Sequence, residues 1–389
     1  MAPQPQQDFS LVLGGPLYQL FRRARLSDDA LTLVRRRVLF IAALCWLPLL
    51  VLTGLQRQWL GHGLTVPFLF DVEVHARFLV ALPLLVAAEY IVHTRLRHIV
   101  ALFLERGLIP EQAMPRFEAA YTSAMRLRNS VLAEVLLIVF VYAAGSAWRH
   151  YVAMNAASWY VSEDGSSLSW AGRWFSYVSL PAFQFLMFRW YFRLIIWMRY
   201  LWQVSRIQLN LMPMHPDRVG GLGFLANTAY AFATLAAAHG TLMAGQIANR
   251  IFFVGARLVD FKVEIFVVVA FLLTLVVGPL LVFGAQLAQA KRTGLRRYGT
   301  LAQRYVRDFQ TKWLEGGADA GEAFIGSADI QSLADLGNSF DVVKEMRFAP
   351  VTRDMLVQLS IATLAPMAPL FLTIMPLEQL LRTLGGAIF

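Results

Sequence analysis

Seven apolar runs constrain this chain more than any other feature, because each is long enough to cross a bilayer as a helix. About 20 mostly apolar residues span the hydrocarbon core. The chain is 57% hydrophobic and only 15% charged, whereas an ordinary soluble domain is about 25% charged. The sequence therefore predicts an all-α, polytopic bundle of seven membrane helices. The predicted spans cover residues 37–56, 76–95, 129–148, 175–200, 222–247, 264–286 and 355–377.

The distribution of lysine and arginine predicts how the chain is oriented. These residues are concentrated in residues 1–37, 95–128, 199–222 and 288–353, and they are sparse in the alternate segments. Positively charged flanks stay in the cytoplasm, so we expect the N-terminus inside and the C-terminus outside a bacterial inner membrane. The end of the chain leaves two alternatives open to an outside C-terminal tail. Residues 364–389 re-enter the membrane, or Leu377–Phe389 lies along its surface as an interfacial helix.

The segments outside the spans divide the chain into four regions. Within the first of them, Phe9–Leu20 and the arginines that follow are expected to form an interfacial helix on anionic lipid. The regions are a basic, amphipathic cytoplasmic N-terminus (1–36), spans one to six with a helical cytoplasmic hairpin at 96–128 (37–287), a cytoplasmic helical insert (288–353), and a broken final span with its tail (354–389).

The cytoplasmic insert carries two apolar stripes at helical spacing. Apolar residues recur three and four apart from Leu295 to Trp313, and again from Ile330 to Met346. Neither predicted helix can bury its stripe alone. A small helical cap on one protomer and an oligomerisation domain are equally good interpretations at this point.

Ionisable side chains inside the spans are the first candidate site, since they are costly in hydrocarbon. At 1.5 Å per residue, three of them lie roughly 8–11 Å inside the predicted inner boundary, and two more lie one turn away. A buried ion-pair cluster that fixes helix packing is the favoured interpretation. The alternative is an ion gate or a proton relay in which Glu89 and His93 titrate. The residues of this set are Glu89, His93, Glu134, Arg189 and Arg193.

Spans five and seven are unusually polar and supply the second candidate set. Span five is rich in alanine and glycine, which lets helices approach closely, and span seven is interrupted by Pro366 and Pro369. A water-filled path lined by these two spans is the sharper interpretation, and tight packing is the alternative. His239 is expected to be a hydrogen-bonded core histidine. The pore or gate candidates here are Asn227, Thr234, His239, Ser360, Thr363 and Thr373.

A short string before span five is the most motif-like feature of the chain. Its glycines permit a tight turn, and the following helix offers free N–H groups that suit an anion or a lipid headgroup. The favoured alternative is that Asp217 caps the helix and Arg218 pairs with another loop. The residues concerned are His215, Asp217, Arg218, Gly220 and Gly221.

Several classes of chemistry are not predicted. The single cysteine, Cys45, excludes a disulfide framework and any multi-cysteine metal site. No known membrane-enzyme motif occurs, so the sequence assigns no catalytic residue, no metal and no cofactor. The basic residues flank apolar runs, so nucleic acid is not an expected partner, whereas anionic lipids are.

Seven spans with an inside N-terminus and a helical insert before a polar last span resemble the layout of the insect chemoreceptor channels. The resemblance covers topology alone and transfers no residue. The leading expectation is a homo-oligomeric channel or transporter for ions or small solutes, with the charged level as its gate. A non-transporting scaffold or lipid-handling protein is the first alternative, which a solid interior between spans five and seven would favour. A lipid-modifying enzyme near His215 is the second.

Overall fold

The computed structural model describes most of the chain as helix. The described residues are 9–23, 33–60, 65–151, 158–162, 167–319 and 321–373, without the side chains of residues 144 and 146–151. Within these ranges there is no β-strand, so the all-α class is confirmed. The predicted segment 377–389 lies outside the described residues.

The helices of the described part follow the predicted spans closely. Two of them contain a π-helical stretch, Ala76–Ala81 in α3 and Phe175–Ser179 in α6. A 3₁₀ segment, Ala365–Thr373, continues the last helix. The helices are α1 (Pro16–Arg23), α2 (Val34–Leu55), α3 (Val72–Glu105), α4 (Met114–Arg128), α5 (Val131–Tyr151), α6 (170–204), α7 (Thr228–Val254), α8 (Lys262–Val277), α9 (Gly284–Trp313), α10 (Ala328–Lys344) and α11 (Arg353–Leu364).

Four helical stretches are long and apolar enough to cross a membrane. They are Val34–Leu55, Val72–Glu105, Leu258–Trp313 and Arg353–Thr373. Helices α6 and α7 cover the predicted spans four and five but are less apolar, because α6 carries two arginines and α7 is rich in alanine, glycine and threonine. A helical membrane protein is therefore supported, while the count of seven spans and their orientation stay predictions.

Helix α7 packs on α3, α8 and α11 at the centre of the bundle. Gly240 explains why the approach to α11 is so close, because a Cβ atom there would overlap the Thr363 carbonyl oxygen. Gly245 lies close to the start of α3, where a Cβ atom would be 3.0 Å from the Cα of Glu73. The small residues of span five are thus used for helix packing.

The N-terminal segment differs from its prediction. The expected helix over Phe9–Leu20 is wrong for its first part, since α1 begins only at Pro16. Gly14 and Gly15 have positive φ angles of 149° and 86°, a conformation that interrupts a helix. Residues 9–12 lie buried in the protein, and Phe9 packs against the rings of Trp197 and Tyr200.

The helical insert over residues 288–353 forms a pair of packed helices, α9 and α10. The hydroxyl of Tyr305 on α9 donates to the carbonyl oxygen of Asp329, 3.0 Å away on α10. Gly294 brings α9 close to both Pro213 and Val343, since a Cβ atom there would crowd their side chains. Some apolar residues of the pair remain exposed, so both interpretations of the insert stay open.

Candidate functional site

Glu89 of α3 is the centre of a group of charges within the bundle. Its carboxylate accepts from Arg193 at 2.7 Å and lies 3.5 Å from Arg189, both on α6. Its second oxygen lies 2.9 Å from the guanidinium of Arg37 on α2. We call Arg37, Glu89, Glu134, Arg189 and Arg193 the buried ionic cluster, because each side chain is at most 8% exposed.

Glu134 of α5 completes the cluster and joins it to the N-terminal segment. One carboxylate oxygen lies 3.2 Å from Arg189, and the other accepts from the backbone N–H of Leu17 at 2.9 Å. A Cβ atom on Gly15 would lie only 2.9 Å from Glu134, so glycine suits this close approach. Every carboxylate oxygen of the cluster therefore lies within 3.2 Å of a guanidinium group or a backbone N–H, and four helices and the N-terminal segment are linked.

Three guanidinium groups face two carboxylates, which leaves the cluster one positive charge in excess when all five groups are ionised. Arg193 lies 4.7 Å from the ring centre of Trp190, and Arg37 lies 5.8 Å from that of Phe21. Aromatic faces attract cations, so these rings offset part of the desolvation cost of the arginines. Sequence reasoning missed Arg37, which it counted as a flanking charge.

His93 lies one helical turn from Glu89 and is also buried. If Glu89 titrated together with His93, a proton would have to bind a carboxylate that already contacts three arginines. The contacts are those of a cluster that fixes helix packing, and a gate or relay at this level stays a prediction.

Three of the candidate residues of spans five and seven form hydrogen bonds within the protein. Thr363 donates to the carbonyl oxygen of Leu359 at 2.8 Å, and Thr373 donates to that of Leu370 at 2.6 Å. His239 contacts the hydroxyl of Tyr191 at 2.6 Å and the carbonyl oxygen of Leu235 at 2.8 Å. These groups are satisfied without water.

The remaining candidates of these two spans are more open. Asn227 is exposed, and Thr234 and Ser360 are half-buried. Between them, Gly240 and Thr363 bring α7 and α11 into direct backbone contact. Within one chain, this contact occupies the place where the sequence predicts a water-filled path.

The loop before α7 is organised by Asp217. Its carboxylate accepts from the backbone N–H groups of Val219 at 2.9 Å, Gly221 at 3.1 Å and Gly223 at 2.8 Å. His215 lies 2.9 Å from the same carboxylate. The donors that an external anion would need are thus already engaged by the chain's own aspartate.

The next residue of that loop, Arg218, contacts the segment that follows α10. Arg218, in the left-handed region at φ 57°, pairs with the exposed Glu345 at 2.8 Å. Gly220 and Gly221 also have positive φ angles. A cavity of about 270 Å³ lies beside His215 and Arg106. Its role as an enzyme site stays a prediction, for which loss of turnover in His215→Ala is the test.

A larger groove, of about 720 Å³, lies where α6 ends and α9 begins. We call it the basic groove, because Arg206 and Arg297 line it and no acidic residue does among the described residues. Sequence reasoning missed it, since its two walls are about 80 residues apart and only the fold brings them together.

Comparisons with known proteins add no homologue. The chain matches no protein-family model, no curated protein and no solved structure. The resemblance of its layout to the insect chemoreceptor channels therefore stays a prediction. Within the described part of the chain, no three His, Cys, Asp or Glu side chains are grouped so that they could hold a metal ion.

Proposed function

We propose that this is a non-transporting, lipid-handling protein of a bacterial inner membrane, which binds anionic lipid at its cytoplasmic side. The observation that carries the proposal is the direct packing of α7 on α11 at Gly240 and Thr363. That contact explains the small residues of α7 by helix association, so a lumen is not needed to explain them.

The charge of α9 supports the lipid part of the proposal. This helix continues from the most apolar of the candidate spans, so its first turns lie near the membrane surface. Each basic residue near an anionic leaflet contributes about 1 kcal/mol to attraction. The basic residues in this first half of α9 are Lys291, Arg292, Arg296 and Arg297.

Reconstitution tests the proposal directly. Purified protein is placed in phosphatidylcholine vesicles with and without phosphatidylglycerol, and the retained lipid is identified by native mass spectrometry. We expect selective retention of phosphatidylglycerol and ion flux no higher than that of empty vesicles. Flux above the empty-vesicle leak across pH and voltage, with no preference for anionic lipid, would overturn it.

A homo-oligomeric channel or transporter is the second candidate, and exposed apolar residues on the helical pair favour it. Val306 is 42% exposed and Leu314 70% exposed at the far end of α9, and Ile330 on α10 is 38% exposed. Lipid does not cover surfaces that lie beyond the membrane, and exposed apolar patches often mark protein interfaces. A conducting path would then lie between subunits and not inside one chain.

Oligomeric state separates the two candidates. If the protein is an oligomeric channel, Leu314→Glu combined with Ile330→Glu should dissociate the oligomer and abolish flux. The control is Leu60→Glu, which changes an exposed residue far from α9 in sequence and should do neither. A monomer at all concentrations in detergent and in nanodiscs would remove this candidate.

A further inference from the structure

The basic groove is built from two parts of the chain that emerge together from the bundle. One wall is the loop after α6, from Arg206 to Pro213, and the other is the first half of α9. Gln286 holds the walls together, because its side-chain amide donates to the carbonyl oxygens of Ser205 and Ile207. Gly294 allows α9 to approach Pro213 closely. The groove is therefore fixed by the fold.

The two arginines of the groove lack the carboxylate partners that the arginines of the buried ionic cluster have. Arg206 lies 5.1 Å from the ring centre of Trp202, and Arg297 is exposed. Neither forms an ion pair with any residue in the described ranges, whereas Arg37, Arg189 and Arg193 do. Two guanidinium groups without an acidic neighbour favour a ligand with several anionic oxygens, because arginine donates to phosphate in a fixed, forked geometry.

The neutral side chains of the groove complete an amphipathic lining. Gln208, Gln289 and Tyr298 carry donors and acceptors that make no hydrogen bond within the described part of the chain. Leu209, Leu211 and Leu301 lie among them and provide apolar surface. A ligand with a phosphate, hydroxyl groups and an apolar portion matches all three features.

We propose that the basic groove binds the phosphate-bearing headgroup of an anionic lipid, with Arg206 and Arg297 as the ligands of the phosphate. The groove begins beside Gln286, where the apolar part of the candidate span Leu258–Trp313 has just ended. A lipid in the bilayer can therefore place its headgroup there while its chains stay in hydrocarbon. This inference rests on the proposed function and names the site of its ligand.

The test compares matched double variants of the full-length protein in nanodiscs. Arg206→Gln with Arg297→Gln removes two charges from the groove. Arg304→Gln with Arg307→Gln removes two exposed charges farther along α9 and serves as the control. The probes are phosphatidylglycerol, phosphatidylcholine and inorganic phosphate, and the readout is the Kd of each. Thermal unfolding shows that all variants remain folded.

We expect the groove variant to bind phosphatidylglycerol at least about tenfold more weakly than wild type, because it loses two charge-assisted hydrogen bonds. The control should stay within about twofold. A neutral variant, Thr293→Trp, fills the groove without changing its charge and should produce the same loss.

The other outcomes separate this inference from the proposed function. If wild type prefers phosphatidylglycerol and the groove variant binds it equally well, the groove assignment fails and the lipid-handling function stands. If inorganic phosphate binds as tightly as the lipid and the groove variant loses both, the site stands and the lipid function fails. If wild type prefers no anionic lipid and binds no phosphate, both fail.

Discussion

Two groups of ion pairs in this protein have almost the same contact distances but different surroundings. In the buried ionic cluster, Arg193 lies 2.7 Å from Glu89, and the two side chains are 4% and 6% exposed. At the end of α9, Lys312 lies 2.6 Å from Glu322 and 2.8 Å from Asp329, and all three side chains are about one third exposed. We call these three residues the exposed ionic triad.

The difference shows that distance alone does not give the energy of an ion pair. Water replaces a lost partner at the exposed triad, and salt screens its charges. In the buried ionic cluster, water cannot replace a lost partner, so removing one side chain leaves the others charged and desolvated. The two groups should therefore respond very differently to the same kind of substitution.

The largest effect is expected for Glu89→Gln. This change leaves Arg37, Arg189 and Arg193 facing one another with a single carboxylate nearby, on Glu134. Breaking a buried pair costs about 3–5 kcal/mol, so we expect a loss of that size in the free energy of unfolding. Unfolding in detergent, followed by circular dichroism, measures it.

Glu134→Gln is the matched control for that prediction. Glutamine can still accept from the N–H of Leu17, and Arg189, which loses the charge of Glu134, keeps Glu89 at 3.5 Å. The loss of stability should be clearly smaller than in Glu89→Gln. Equal stability of Glu89→Gln and wild type would show that water reaches the cluster and would remove the contrast between the two groups.

A small effect is expected for Lys312→Ala in the exposed triad. Its carboxylate partners become hydrated, so the melting temperature should shift far less than in Glu89→Gln. Adding about 1 M salt should remove most of the shift, because the Debye length falls to about 3 Å. A shift that persists at high salt would mean that packing of the lysine stem, and not its charge, holds α9 to α10.

The smallest effect is a pH dependence of the same triad. Hydrogen bonds from Lys312 and then from Trp313 lower the pKa of Asp329 below its ordinary value. Its stabilising contribution is therefore complete above the unfolded-state pKa of about 3.9 and is lost as the pH falls through the lower folded-state pKa.

Asp329→Asn provides the readout for that dependence. The gap in melting temperature between wild type and this variant should be constant near pH 6. It should close as the pH falls below the unfolded-state pKa of about 3.9 and through the lower folded-state pKa. A gap that widens on acidification would contradict the direction of the pKa shift.

The sequence predicted the helices of the bundle well, because apolar runs and helical periodicity are local signals. It also placed Glu89, Glu134 and Arg193 at one depth, since rise per residue converts position into height. The structure brings these three together with Arg189.

Other parts of the site depend on tertiary contacts that have no local signal. In the sequence, Arg37 belongs to the basic segment that flanks the first predicted span, yet its side chain is only 2% exposed. The small residues of span five are compatible with a lumen and with close packing, and only the contact of Gly240 with Thr363 distinguishes them. The basic groove joins residues from two separate stretches, so no motif could indicate it.

The burial of Phe9 also has a consequence for the order of assembly. This residue rests on Trp197 and Tyr200, which the ribosome adds almost 190 residues later. The segment that holds Phe9 therefore cannot dock before α6 has been synthesised. One of the earliest stretches to be synthesised therefore reaches its native position only after about half of the chain has been made.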